Sequence, residues 1–448
     1  MSSSSPSLSP SSLGGGEGPS SSRSRRRAGN DVWPEPFVED LALEVATDTS
    51  RSVGRLAAAQ ALSVLFQVCS TWQAVSHSDL LWQNLTRRIW NRHELLRPTW
   101  REEYIYWHQT ANNFLHHRYN YNTLHFVPEN NDDDDDDNNN NNNDSLFCRR
   151  LALSDHLLAA GFSGGSVQLF FLPTSLHLST FHPHHRDRLG QFSRAVSGII
   201  LSDVQLVFAS LDGDIHVVVI GDAVPPRRAH LGDVVNDGAL VDFTGCDQWW
   251  VGLYAGVPGR AFHIWNRETE ELVFVGGELT DPEALMGWHL LTELTEIVGR
   301  IRVTTRETAV ACTSLQLMVI DLQNQGIIIR AQPSRRGLIV ASLDARNETL
   351  VAVDTRGVAS VRRADDLEEI CRFNIRGANQ RGVIGCTNGG YAMMRVGNVI
   401  RVWNIENGAY LFRFRERIGD INAIIADERY VAACSSDATI HLWDFGAQ

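Results

Sequence analysis

The chain has 448 residues, a formal net charge of −13 and seven cysteines. At roughly 150 residues per domain this length allows about three domains, and the acidic balance argues against a nucleic-acid surface, which calls for a basic stripe. The cysteines are odd in number and contain no Cys-x-x-Cys pair, which argues against both a zinc ribbon and a disulfide framework. The first 30 residues lack an apolar signal core, and no run reaches the ~18–20 apolar residues of a membrane helix. A soluble intracellular protein is therefore expected, and Asn84 and Asn347, which head glycosylation-like triplets, are read as chance matches. All 40 basic residues are arginine, and lysine is absent.

Residues 1–30 are a Ser/Gly/Arg tail, too poor in apolar side chains to repay ordering, and are expected to be disordered. Arg23, Arg25, Arg26 and Arg27 cluster there, as an import signal or as solvated charge. Residues 33–117 carry a helical pattern. Leu56, Ala59, Leu62, Leu65, Phe66 and Cys69 recur at three- and four-residue spacing, which predicts an apolar stripe. A further aromatic-rich helix is predicted over 100–117. Residues 121–128, with Tyr121, Leu124, Phe126 and Val127, read as a strand. The Asp/Asn tract 130–144 cannot build a core and reads as a loop.

After Leu146 the period becomes two, with Gly-, Asp- and Asn-bearing turns every 8–12 residues, as in a sandwich, barrel or propeller. One unit recurs about every 40 residues. Its fullest copy runs from Tyr430 through Asp437 in a turn to Ile440, Leu442, Trp443 and Asp444. Weaker copies end in Trp403–Asn404 and Trp265–Asn266; another keeps Asp321 but has Ile320 in place of tryptophan. Degenerate copies span 163–171, 210–219 with Asp212 and Asp214, and 354–361. This unit resembles a WD repeat, and seven copies imply a mainly β, seven-bladed propeller over 120–448. The last copy stops after three strands, so residues 121–128 are expected to close the ring and cover its edges.

Within residues 31–90, Val68, Cys69 and Trp72 are followed about ten residues later by Leu81 and Trp82. This run resembles the second half of an F-box, and the stretch from Trp33 and Pro34 to Leu41 takes the place of its opening motif. Residues 47–54 lengthen the usual spacing between the halves. Residues 91–119 then form a helical linker to the propeller. The resemblance to plant F-box/WD-repeat regulators implies a non-catalytic, nuclear substrate adaptor of an SCF-type ubiquitin ligase. It implies a Skp1-like partner and through it a cullin, with Pro34, Leu41, Val68, Trp72, Leu81 and Trp82 shaping or anchoring that surface. It also implies transcriptional repressors of the PEAPOD and KIX type as substrates, in control of flower and organ growth. The alternative is a transcriptional co-regulator or scaffold that uses the propeller alone, since propellers host many functions.

Catalytic motifs are missing. There is no phosphate loop, which needs lysine, and no Gly-x-Ser-x-Gly elbow. His182, His184 and His185 cluster without a matching cysteine or carboxylate and read as loop histidines, so no metal, cofactor, nucleic acid or membrane is expected. Cys69 and Cys434 are expected to be buried small hydrophobes. Arg186, Arg188 and Arg194 fall in the first inter-blade connection, Arg335 and Arg336 in the fourth, Arg376 and Arg381 in the fifth, and Arg415 and Arg417 by the sixth. These predict a basic rim that prefers acidic or phosphorylated segments; the bland alternative is solvated charge paired with Asp187, Glu416 or Asp420.

Overall fold

The computed structural model describes residues 33–126, 147–182, 191–222, 224–278, 298–324, 326–346, 348–375 and 383–446. The tail 1–30 and the tract 130–144 therefore lie outside the described residues. The chain divides into two compact units, Met1–Tyr104 and Ile105–Gln448. Among the described residues no helix is long and apolar enough to cross a membrane.

The second unit is a seven-bladed β-propeller of seven four-stranded antiparallel sheets. Six blades use four consecutive strands. The seventh takes three from the C-terminal end, Ile421–Ala426, Tyr430–Ser435 and Thr439–Asp444, and its outer strand from Asn120–His125. The pairing is antiparallel and continuous, from Asn120 opposite Asp444 to His125 opposite Thr439. The expected closing strand is present, but it begins one residue earlier than expected and ends at His125 rather than at 128, and it covers an edge that would otherwise be exposed.

Each blade hides its faces against its neighbours, and in four blades a large residue near the end of the third strand packs into the preceding blade's side. Trp443 packs with Phe412 of the sixth blade and with Phe414 and Ile418 of the connection that follows it, and Trp403 with Val351 and Val353 of the fifth. Trp265 packs with Val207 and Val217 of the second, and Ile320, which replaces tryptophan, with Val251 and Leu253 of the third. The turn aspartates tie down backbone and strand ends. Asp354 accepts from the N–H groups of Arg356 and Val358 at 2.9 and 3.0 Å. Asp214 accepts from Gly232 N at 2.8 Å, and Asp437 accepts from the Ser435 hydroxyl.

His263, in the third blade's Phe262–Asn266 strand, has no exposed surface and stacks on Tyr254 with centroids 3.9 Å apart. Neither ring nitrogen has a hydrogen-bond partner, and burial pushes its pKa down to about 3. The unfolded chain then takes up the proton first. The stability present at neutral pH is lost as pH falls from about 6.5 towards 3, by up to about 1.4 kcal/mol per pH unit. His263→Phe is expected to flatten this acid limb by one proton's slope in urea unfolding at stepped pH; an unchanged limb would place the proton elsewhere.

The first unit is helical: α1 Glu35–Ser52, α2 Ala57–Phe66, α3 Ser70–Val75, α4 Asp79–Trp90 and the start of α5, Trp100–Leu115. The added residues 47–54 lengthen α1, whose end is followed by Gly54 at φ 120°. The Ser78 hydroxyl caps α4 by accepting from Leu81 N, and Asn91 ends it in the left-handed conformation at φ 53°, as short polar residues tolerate. The core joins Val38, Ala42, Leu62, Leu85 and Trp90. Trp82 lies 5.1 Å from Tyr104 and donates its indole N–H to Ser76 O at 2.7 Å, so its polar end is satisfied inside the bundle.

Candidate functional site

In the helical unit, six candidate residues divide by depth. Leu81 and Trp82 are core, at 2 % and 7 % exposure, and set the position of α4. Leu41 and Trp72 are half-buried, Pro34 is exposed, and Val68 is 62 % exposed. Cys69 was expected inside and is exposed instead. It is the N-cap of α3 with extended φ −160° and ψ 174°; α2 has already ended, so the apolar stripe stops short of it. Cys434 is buried, as expected.

The same unit leaves further large apolar side chains in solvent. Trp33 and Phe37 stack with centroids 4.8 Å apart while about half exposed, and Val64 and Leu80 are 64 % and 58 % exposed. Sequence reasoning singled out none of these four as surface residues, although Trp33 and Phe37 lie in the opening-motif stretch and Leu80 in the second run. Val64 and Leu80 each had a signal, being apolar but out of step with the buried positions Leu62 and Leu65 of α2 and Leu81 and Leu85 of α4.

On the propeller, the inter-blade connections share one face, because every blade runs up and down alike. Arg335, Arg336, Arg415 and Arg417 are exposed there. Arg336 lies 4.0 Å from Asp354. Arg335 and Arg336 line a cavity of about 210 Å³ with Arg362, Arg372 and Asp354. Glu416 is taken up by the Trp443 indole at 2.8 Å and the Tyr119 hydroxyl at 3.2 Å, and Asp420 by Arg395. Arg335 and Arg417 thus have no ion-pair partner among the described residues. Arg194 is half-buried and engaged. Arg186, Arg188, Arg376 and Arg381 lie outside the described residues.

The ring's centre is charged, which the sequence did not suggest. Asp242 of the inner strand Ala239–Gly245 is fully buried, 2.9 Å from Arg302 and 3.3 Å from Arg150. It also accepts from Ile301 N at 2.8 Å. Arg302 reaches a second carboxylate, Asp344, at 3.0 Å. Burial lowers the pKa of Arg150; burial opposes the charge on Arg302 too, but Asp242 and Asp344 outweigh it and raise its pKa.

No family model matches the chain. Among solved structures, the β-propeller domain of Cps50 (Swd1) from Myceliophteria thermophila superposes with a TM-score of 0.51 at 13 % identity, covering 67 % of this chain and 98 % of that one. That likeness is one of fold. The computationally designed Ika8 protein gives a TM-score of 0.47 at 15 % identity, over 66 % of this chain and 83 % of its own. In sequence, the chain is 56 % identical over 436 residues to the "Transcriptional regulator STERILE APETALA" of Arabidopsis thaliana, spanning 96 % of each. With near-complete coverage at that identity, this seven-bladed protein belongs to the STERILE APETALA family.

Proposed function

We propose that the chain is a non-catalytic substrate adaptor of an SCF-type ubiquitin ligase. Its helical unit acts as an F-box that binds a Skp1-like protein, and through it a cullin. Its propeller holds nuclear repressor proteins, of the PEAPOD and KIX type implied by the resemblance, for destruction. The observation that carries this reading is the exposed apolar set Trp33, Phe37, Val64, Val68 and Leu80 on so small a unit, beside the F-box-like run that includes Trp72. Adjoining exposed apolar side chains, as Trp33 and Phe37 are, suit a binding face. The lysine-free composition fits too: ubiquitin is joined to lysine amines, and an adaptor held beside the transfer machinery escapes its own ligase if it has none. The rim residues Arg335 and Arg417, without an ion-pair partner among the described residues, suit acidic or phosphorylated substrate segments, which guanidinium binds in a fork.

The test is the full-length double variant Val68→Asp/Leu80→Asp. Both residues are exposed, so folding is expected to persist. Co-purification of a Skp1-like protein and a cullin should fall at least tenfold, in line with the ~2 kcal/mol or more of an interface anchor. Undiminished recovery would sink the adaptor reading. It would then favour a nuclear co-regulator that works through the propeller alone, the reading that the relative's name as a transcriptional regulator supports.

A further inference from the structure

The inner strands of all seven blades surround a cavity of about 360 Å³, a size typical of small-molecule sites. Five guanidiniums line it, those of Arg149, Arg150, Arg300, Arg302 and Arg346. Asp242 and Asp344 are the carboxylates among its described lining residues, which leaves a surplus of three positive charges.

The surplus is concentrated on groups the protein does not satisfy. Arg149 and Arg300 are only 8 % and 9 % exposed. Arg149 Nη1 and Arg300 Nε have no hydrogen-bond partner, although Arg300 does donate to Ala341 O at 2.8 Å. A buried cation without a counter-charge is costly, and folds that keep one normally pair it. Arg149 sits at the irregularity in the Cys148–Leu153 strand, between Cys148 and Arg150 in the register, and such bulges re-aim side chains. Burial lowers the pKa of Arg149 to about 9 and that of Arg300 to about 10, so both stay charged at neutral pH.

We propose that this central cavity binds a small oxyanion carrying several phosphate groups, clamped by Arg149 and Arg300 and backed by Arg150, Arg302 and Arg346. Guanidinium groups match phosphate oxygens in both charge and geometry. Multiple phosphates are favoured because a single one would leave part of the surplus uncompensated. The arginines come from the first, fourth and fifth blades, so the ligand would tie separate blades together and raise the stability of the ring. This site is distinct from the rim proposed for substrate.

The experiment is a titration of the purified full-length chain with sodium tripolyphosphate at constant ionic strength, read by calorimetry and by thermal unfolding. Saturable binding near one per chain and a rising unfolding midpoint are expected, with inorganic phosphate much weaker. Arg149→Met and Arg300→Met should each weaken binding at least tenfold, while Arg330→Met on an exposed outer strand should not. Without tripolyphosphate the two channel variants should melt no lower than the parent, because each lowers the channel's net positive charge. Asn422→Asp, an isosteric change in the same lining, should raise the melting point without tripolyphosphate and weaken binding. The proposal is overturned if the parent shows no saturable response, if the channel variants bind as the parent does, or if Asn422→Asp lowers the melting point.

Discussion

Removing residues 120–125 is expected to turn a closed ring into aggregating protein. The loss is a whole strand: six register pairs with Thr439–Asp444 disappear. So do the Tyr121 hydroxyl contact with His441 Nδ1 at 2.7 Å and buried Leu124, which packs with Leu158 and Ile440. What remains is an unpaired six-residue edge that carries Ile440, Leu442 and Trp443, an available template for another chain. Deleting 132–143 instead removes only polar residues that cannot support a core, and solubility should be unchanged. Size-exclusion chromatography of the two deletions decides it; equal recovery of unaggregated protein would show that closure does not depend on this strand.

The second large effect is expected at Asp242. Asp242→Ala leaves Arg150 and Arg302 without their shared carboxylate in the ring's interior, where both guanidiniums now meet it within 3.3 Å. Breaking a buried ion pair from one side typically costs about 3–5 kcal/mol, because the remaining charge is stranded. The loss should appear as a lower urea midpoint. Arg302→Met in the Asp242→Ala background should recover part of it, because it removes one of the stranded charges. A single variant within about 0.5 kcal/mol of the parent would mean that water or ions already screen this network.

The ring was legible because its signals are local. Trp443–Asp444, Trp403–Asn404 and Trp265–Asn266 each end a strand whose alternation shows within a few residues, and the unfinished last repeat pointed back to Tyr121 and Leu124. The charged channel was not legible, because its partners are far apart in sequence. Arg302 meets Asp242 across 60 positions and Asp344 across 42, and only the stacking of inner strands brings them together. Residue type alone reads Arg149 and Arg300 as surface charges, since arginine is seldom buried. On the helical unit the pattern located the helices but not the exposure of Cys69, which depends on α2 ending at Phe66.

Closure by the strand Asn120–His125 sets an order on synthesis. The ribosome makes this strand first, yet its partner Thr439–Asp444 follows about 320 residues later. At roughly 5–20 residues per second that is a wait on the order of 15–60 s. Through it the early strand must remain extended and unpaired beside growing blades. Its composition suits the delay: Asn120, Asn122, Thr123 and His125 are polar, and of its six residues only Leu124 is buried in the finished ring. Thr439–Asp444, which brings Ile440, Leu442 and Trp443 to the interior, is made last and finds its partner waiting. The stickier half of the pair thus spends the shorter time exposed.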